Sequence, residues 1–324
     1  MILRPDKLLF CVTIVIGIAL ATSATNWYIA WFGLELNLIS FFPLLLSNKD
    51  YYHVTGAFQY FLVQALASSI LLTGALLTYL ISRPLLFCGL VLKTGGAPLH
   101  FWFISVREKL SWFNFLVLRT VQKIAPLRLL SHLINRDYFI IFIIISIISG
   151  LVGALGGINQ LLLRTLIAYS SLRHLGWILA AISSRISCWI FYFRVYCFTS
   201  RLLILILKKS EVYFLVQFLL FSGNPIRLLG VWIRFLSMRG IPPFLGFFPK
   251  IEVIERLVCS RSILWAYLLT VSSLIALFFY LRLLFVIITL IGPKIKHGSK
   301  HDWGIGGSLI LLNLFICIIP IIVY

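Results

Sequence analysis

Long apolar runs, separated by short polar segments, make up most of this chain. A helix of about 20 apolar residues spans a bilayer, and on that criterion we predict about eleven transmembrane helices. They cover residues 7–23, 27–47, 54–81, two helices within 85–126, and then 138–158, 161–183, 186–207, 226–258, 263–291 and 306–324. Residues 210–225 are amphipathic and are predicted to lie along the membrane interface. We therefore predict an all-α polytopic membrane protein with a single domain, residues 1–324.

The composition agrees with this pattern. Of the 324 residues, 61% are hydrophobic and only 11% are charged, and the mean hydropathy is +1.05. Soluble domains carry about 25% charged residues. The composition therefore excludes an ordinary soluble protein.

The chain is strongly basic, with a formal net charge of +19. Most lysines and arginines lie at the ends of the apolar runs, where such residues anchor helices and set their orientation, so no nucleic-acid partner is predicted. The predicted loops on the N-terminal side hold about twice as many basic residues as the loops on the other side. We therefore expect the N-terminus in the positive-inside compartment and Tyr324 on the opposite side.

The six cysteines lie in apolar stretches, and no two of them form a CxxC pair. Iron–sulfur clusters need closely spaced cysteines, and haem needs apposed axial ligands. The sequence predicts no redox centre in this chain.

Three lysines lie in apolar sequence beside residues that interrupt a helix: Lys93 before Thr94-Gly95-Gly96-Ala97-Pro98, Lys123 before Pro126, and Lys250 after Gly240-Ile241-Pro242-Pro243. A buried cation is expensive in a membrane, and a broken helix is tolerated only where protein or water satisfies the freed backbone groups. Proline and glycine are also common in ordinary transmembrane helices. The recurrence of the pattern favours ion or proton movement.

Glu35 is an acidic residue within the second apolar run. Burial lowers the pKa of a lysine by several units, and a carboxylate about 4 Å away restores roughly 4 kcal/mol at an effective dielectric of 20. A carboxylate that approaches and leaves a buried lysine could thus switch its protonation, which an arginine does not allow. A structural ion pair is the alternative role for Glu35.

Two further residues bear on this hypothesis. Arg119 lies four residues before Lys123, on the same face of a continuous helix. His174 lies in the middle of a predicted helix and titrates near neutrality, so it could relay protons between Lys123 and Lys250. A hydrogen-bonded packing role is equally compatible with His174. Arg194 and Arg201 share one face of the eighth predicted helix, which suits snorkelling or contact with a partner or a lipid headgroup.

Several of these segments match a known family in order. They are WFGLELN at 31–37, KTGGAPLHFW at 93–102, QKIAP at 122–126, AYSS at 168–171, HLGW at 174–177, GIPPFLGFFPK at 240–250 and FYLRL at 279–283. Together they resemble the NADH–ubiquinone oxidoreductase chain 2 family, whose members are membrane-arm subunits of respiratory complex I.

The resemblance implies an antiporter-like bundle with discontinuous helices. The family's key acid corresponds to Glu35, and its lysines correspond to Lys93, Lys123 and Lys250. In the animal mitochondrial form, eleven helices place the N-terminus in the matrix and the C-terminus in the intermembrane space of the inner membrane. The resemblance further implies a proton-translocating subunit of NADH:ubiquinone reductase. Its partners would be other membrane-arm subunits, including antiporter-like neighbours, and phospholipid.

No cofactor is expected in this chain, because the resemblance assigns NAD, FMN, the iron–sulfur clusters and ubiquinone to other subunits of the complex. Two alternatives stay open. The chain could be a subunit of an Mrp-type cation/proton antiporter, which would co-purify with a small antiporter assembly. It could also be a passive structural subunit, whose lysine variants would leave the pumping stoichiometry unchanged.

Overall fold

Helices form nearly all of the regular structure. The computed structural model describes residues 5–46, 50–77, 79–134, 139–184, 186–210, 212–215, 217, 225–242 and 244–291. The helices are α1 (Pro5–Ser23), α2 (Trp27–Leu46), α3 (Tyr51–Leu76), α4 (Tyr79–Thr94), α5 (Phe101–Lys109), α6 (Trp112–Arg119), α7 (Val121–His132), α8 (Phe139–Leu155), α9 (Leu163–Ser184), α10 (Ile186–Ser210), α11 (Pro225–Arg239), α12 (Phe248–Cys259) and α13 (Ile263–Ile291). Within these ranges the only β pairing is an isolated antiparallel bridge between Leu162 and Phe214.

The chain divides into two compact units, an N-terminal unit of residues 1–145 and a C-terminal unit of residues 146–324. In the N-terminal unit, α1 packs along α2, and α3 packs against α2, α4 and α5. The α1–α2 contact is close because Gly33 faces Gly17 and Ala21, and a Cβ on Gly33 would lie 2.8 Å from the Gly17 carbonyl oxygen. Small residues at such a crossing let two helix backbones approach in a membrane.

The C-terminal unit is built around α9, which packs against α10, α12 and α13. Nearly every residue of α9 is buried, including its arginine and histidine at positions 173 and 174. A helix that is buried on all sides has to place any polar group that it carries inside the protein. The fold thus brings the polar positions of α9 into the interior of this unit.

Four described helices are long and apolar enough to cross a membrane, at Trp27–Leu46, Tyr51–Leu76, Ser187–Ser210 and Ile263–Arg282, and Lys7–Ser23 and Phe139–Leu155 are shorter apolar helices. The predicted number of eleven spans is therefore not confirmed. The eleventh predicted helix, residues 306–324, lies outside the described residues, as does most of the predicted interfacial segment 210–225.

Some predicted boundaries are wrong. The third predicted helix, 54–81, ends early because Leu77 adopts an extended conformation (φ −81°, ψ 165°), and Tyr79 already belongs to α4. Residues 85–126, predicted as two helices, lie in four shorter ones, α4 to α7. The break predicted within 226–258 is present, since α11 ends at Arg239 and α12 begins at Phe248.

Candidate functional site

The end of α4 places Lys93 in the interior of the N-terminal unit. Gly95 has a φ of +71°, and a Cβ there would lie 2.9 Å from the Phe103 side chain, so this position requires glycine. The Gly96 amide donates to the Val91 carbonyl, and the Gly95 amide donates to the Leu92 carbonyl. These two bonds form a Schellman motif, which ends a helix by satisfying its last carbonyls.

Two side chains also donate to carbonyls at this helix end. The indole of Trp102 donates to the Leu92 carbonyl (3.2 Å), and the Gln64 amide donates to the Lys93 carbonyl (3.4 Å). Lys93 itself is 8% exposed. The break is thus satisfied by protein groups, which leaves the Lys93 ammonium to interact with other partners.

Glu35, in α2, is the carboxylate whose charge acts on Lys93, and it also acts on the Tyr60 hydroxyl. The Glu35 and Lys93 side chains do not form an ion pair within 4.0 Å. Glu35 is only partly buried, whereas Tyr60 is 3% exposed. The geometry is that of a carboxylate and a lysine that interact through space without direct contact.

Lys123 lies in the first turn of α7 and is 3% exposed. Its Nζ atom lies 4.6 Å from the centroid of the Phe103 ring. The Arg107 guanidinium lies 3.4 Å from the same ring. One aromatic side chain therefore contacts two buried cations through cation–π interactions, and Gly95 packs against the same side chain.

The helix is interrupted before Lys123, whereas it continues through Pro126, which was predicted to interrupt it. Thr120, with φ −112° and ψ −71°, separates α6 from α7, so Arg119 and Lys123 do not lie on one continuous helix as predicted. Pro126 lies inside α7 and has no amide hydrogen, so the Gln122 carbonyl loses its usual helical donor.

Lys93 and Lys123 line the same cavity. The space that the centre of a water molecule can occupy in this cavity is about 20 Å³. The polar residues that line it are Asn37, Tyr60, Gln64, Lys93, Thr94, Gln122 and Lys123. A polar cavity of this size holds about one water molecule. The Gln122 amide donates to Asn37 Oδ1 (3.0 Å), which ties α7 to α2 at this wall.

In the C-terminal unit, His174 belongs to a buried polar cluster. Its Nδ1 atom lies 2.9 Å from the Tyr192 hydroxyl, and its Nε2 atom lies 3.4 Å from an Arg173 guanidinium nitrogen. The Tyr196 ring lies 5.1 Å from the imidazole, measured between centroids. His174 is 5% exposed, and both ring nitrogens face polar groups that can exchange hydrogen bonds with them.

Lys250 lies in the first turn of α12, after the loop that follows α11. Gly240 opens that loop with a φ of +72°, and a Cβ there would collide with the Gly246 carbonyl, so two backbone segments meet at this position. Lys250 is 6% exposed and donates to the Arg239 carbonyl, the last of α11. Its Nζ atom also lies 5.8 Å from the centroid of the Trp177 ring.

The charged groups that act on Lys250 are two arginines, Arg173 and Arg239. Both guanidinium groups lie within 6 Å of the Tyr280 ring centroid, at 5.7 and 5.9 Å. Arg239 also donates to the Ser273 carbonyl (2.9 Å). Within the described part of this unit, Lys250 therefore lies in a cationic cluster that contains no carboxylate.

Comparisons with known proteins show which family this chain belongs to. The family model described as "NADH:quinone oxidoreductase/Mrp antiporter, TM" matches residues 24–85 and 77–276. The NADH-ubiquinone oxidoreductase chain 2 of Anopheles gambiae is 40% identical over 311 residues, covering 91% of this chain and 88% of that protein. The chain 2 protein of Lumbricus terrestris is 34% identical, covering 92% of this chain and 91% of that protein.

This chain belongs to the NADH-ubiquinone oxidoreductase chain 2 family. It is thus a membrane-embedded subunit of an oxidoreductase complex. Solved structures show the same antiporter-like fold. A chain of respiratory complex I from Thermus thermophilus has a TM-score of 0.83 at 22% identity, covering 98% of this chain and 79% of that chain. A chain of the Mrp complex from Dietzia sp. has a TM-score of 0.80 at 16% identity, covering 97% of this chain and 75% of that chain.

The predicted site residues of this chain 2 family member are divided between the two units. Glu35, Lys93 and Lys123 lie in the N-terminal unit, and His174 and Lys250 lie in the C-terminal unit. The uncharged groups that surround them were not predicted from the sequence: Asn37, Tyr60, Gln64, Gln122, Tyr192 and Tyr280. These residues are polar positions inside apolar runs, which a sequence can reveal. Their tertiary contacts alone distinguish them from other polar positions in such runs.

Three further arginines of this family member lie on α10 and α13. Arg194 and Arg201 are both exposed on α10, as snorkelling or a partner contact would require. Arg282 is partly buried and donates to the Gln160 carbonyl (2.7 Å). Arg282 therefore fastens the loop before α9 to α13.

Proposed function

We propose that this chain translocates protons as a subunit of mitochondrial respiratory complex I, coupled to redox chemistry in other subunits. The observation that carries this proposal is the cavity that Lys93 and Lys123 share, with the Glu35 charge acting on Lys93. Two buried lysines around a site for water can pass a proton between them, since lysine binds and releases a proton.

Glu35 supplies the switch in this proposal. It interacts with Lys93 through space and is not locked in an ion pair, so a modest movement of α2 or of the side chain would change the interaction substantially. The energy of two unit charges at an effective dielectric of 20 falls from about 4 kcal/mol at 4 Å to about 2 kcal/mol at 8 Å. A change of this size corresponds to more than a tenfold change in the protonation equilibrium constant of the lysine.

His174 and Lys250 form the second part of the proposed route. The hydrogen-bonded series Arg173, His174 and Tyr192 can reorient protons within the C-terminal unit. Lys250 is the proposed hand-off group towards an exit or a neighbouring subunit. Its burial disagrees with a lysine that snorkels to the membrane surface.

The family supports a proposal for the membrane and the partners of this chain. We infer that it lies in the mitochondrial inner membrane with the N-terminus in the matrix and the C-terminus in the intermembrane space. It would contact other membrane-arm subunits, including antiporter-like neighbours, and phospholipid, but no nucleic acid. It would bind no cofactor of its own, and NAD, FMN, iron–sulfur clusters and ubiquinone would bind to other subunits.

Substitution of the cavity lysines tests the proposal. In the assembled complex, Lys93→Gln and Lys123→Gln should each slow quinone-linked proton translocation about a hundredfold, because a positioned proton-transfer group contributes a factor of this order. NADH oxidation by an artificial electron acceptor should be preserved in the assembled complex, because that reaction takes place in other subunits. Lys209→Gln, at the exposed end of α10, is the matched control.

Two results would contradict the proposal. Translocation at the wild-type ratio of protons to electrons in both variants would show that the lysines only stabilise the fold. Purification of the chain with a small antiporter assembly, together with sodium-dependent transport in the absence of NADH, would instead support the Mrp-type alternative, whose members share the matched family model.

A further inference from the structure

The middle of α10 exposes one narrow stripe of side chains. Its members follow one another at alternating intervals of three and four residues and are Phe191, Arg194, Phe198, Arg201 and Leu205. The other faces of α10 pack against α9, α11 and α12. A stripe with this heptad spacing is the surface along which one helix packs lengthwise against another.

Both arginines of the stripe lie far from the ends of α10. The helix has 25 residues, so it is about 37 Å long, slightly more than the hydrocarbon core of a bilayer at about 30 Å. Arg194 is eight residues from the first residue of α10, and Arg201 is nine residues from the last. These intervals correspond to about 12–14 Å along the axis. Both charges are thus at the depth of the hydrocarbon chains, where an arginine that faces lipid is strongly disfavoured.

Snorkelling to the membrane surface suits only one of the two arginines. Side chains of an α-helix lean towards its N-terminus, so Arg194 leans towards the end of α10 that is nearer to it. Arg201 is nearer to the C-terminal end and leans away from that end, towards the middle of the membrane. A lipid headgroup therefore fits Arg201 poorly, and its guanidinium needs a counter-charge at membrane depth.

The described residues of this chain provide no such counter-charge, since none of their carboxylates lies within 4.0 Å of either guanidinium. The predicted eleventh helix, residues 306–324, contains no aspartate or glutamate. A second copy of the stripe would place arginine against arginine, and like charges repel each other. We therefore expect the counter-charges from another subunit.

We propose, on the basis of the proposed place of this chain in a membrane arm, that the α10 stripe docks one transmembrane helix of a neighbouring subunit. That helix carries two carboxylates seven residues apart. Arg194 and Arg201 have the same spacing, and helices that pack along a heptad seam keep such positions opposite each other. Phe191, Phe198 and Leu205 supply apolar contacts beside the two ion pairs, and phenylalanine and arginine are both enriched in protein interfaces.

Zero-length cross-linking of the assembled complex tests for the carboxylates. Arg201→Lys keeps the positive charge and introduces a primary amine. A hydrophobic carbodiimide activates carboxyl groups inside the membrane, and an amine in contact with an activated group forms an amide. Mass spectrometry should find position 201 joined to an aspartate or glutamate in an apolar segment of another subunit. Arg194→Lys should join a carboxylate seven residues from the first, and Arg201→Gln, which has no amine, is the matched control.

Replacement of arginine by leucine separates a partner helix from lipid, because the two predict opposite effects. If Arg201 faces lipid, Arg201→Leu should leave assembly unchanged or improve it. If it pairs with a carboxylate, the substitution leaves that carboxylate buried and unpaired. The affinity of the neighbour should then fall by at least about tenfold. The measurement is the fraction of this chain that stays in the complex as detergent is added.

Two further variants complete this experiment. Arg261→Leu, at an exposed arginine between α12 and α13, should leave the retained fraction unchanged. Neutralisation of the cross-linked carboxylate together with Arg201→Leu should restore the wild-type fraction, because no charge is then left unpaired. A merely apolar packing role for position 201 would not give this rescue.

Several outcomes would overturn the proposal. Absence of the amide in both lysine variants would exclude the carboxylates, and wild-type retention in Arg201→Leu would show that the arginine faces lipid. An amide with a lipid carboxyl group would identify a headgroup contact, and an amide with Asp302 would show that this chain covers its own stripe. Absence of the wild-type chain from a purified NADH-oxidising complex would instead contradict the proposed function, so the two failures are distinguishable.

Discussion

Lys93 and Lys123 share a polar cavity in the N-terminal unit, whereas Lys250 in the C-terminal unit donates to a backbone carbonyl beside two arginines. The first region contains a carboxylate and several amides. The second contains tyrosines, a histidine and guanidinium groups, and its described residues place no carboxylate beside Lys250. Both regions bury lysines at helix breaks, but a carboxylate acts on Lys93 whereas two arginines act on Lys250.

The difference shows how each lysine can respond to its surroundings. In the N-terminal unit, movement of one carboxylate can change the free energy of a charged lysine, because that carboxylate is the acting charge. In the C-terminal unit the neighbouring charges are arginines, which keep their protons. Among the described residues, the Arg239 carbonyl and the Trp177 ring are groups that stabilise a protonated Lys250.

The sharpest test of this comparison is replacement of lysine by arginine in each region. Lys123→Arg and Lys250→Arg keep the charge but prevent proton release, so each should slow coupled proton translocation about a hundredfold. The rate of translocation with NADH and quinone is measured in assembled complex. Lys208→Arg, at an exposed position of α10, provides the control.

A difference between the two variants would be informative. A fully active Lys123→Arg complex would show that only a fixed charge is needed in the cavity. If Lys250→Arg and Lys250→Gln were both fully active, Lys250 would be a structural residue, and the proposed route would have to leave the chain from the N-terminal unit.

The next largest effect is expected from Glu35→Gln, which removes the carboxylate from the N-terminal region. The interaction that it loses is worth about 2–4 kcal/mol, so coupled pumping should fall by about tenfold or more while assembly is kept. The ratio of protons to electrons and the turnover rate are the measurements. Glu255→Gln, exposed on α12, serves as the control, and wild-type pumping in Glu35→Gln would reject the switch.

The smallest expected effect concerns His174. Tyr192→Phe removes the hydroxyl that lies 2.9 Å from its Nδ1 atom. One hydrogen bond contributes about 0.5–1.5 kcal/mol, so we expect coupled turnover to fall by roughly two- to tenfold through loss of imidazole orientation. Tyr267→Phe, at a tyrosine that is 64% exposed, should have no effect. Equal turnover in both variants would favour a packing role for the histidine.

The amino-acid sequence was enough to predict the class of fold and two of the helix breaks. Apolar runs of bilayer length predicted an all-helical membrane protein because exposed backbone polar groups are not tolerated in lipid. Gly95 and Gly240 marked real breaks, because both adopt a positive φ that side chains with a Cβ disfavour. The order of the motifs was also enough to predict the family, which the comparisons confirm.

The groups that surround each lysine become known only from the packing of the helices. The sequence placed Arg119 on one face with Lys123, but Thr120 interrupts the helix between them. It gave no reason to connect Gln122 with Asn37, which are 85 residues apart and meet only because α7 packs on α2. Hydropathy reports whether a residue is buried, whereas electrostatics depends on distances between helices, and helix packing alone sets those distances.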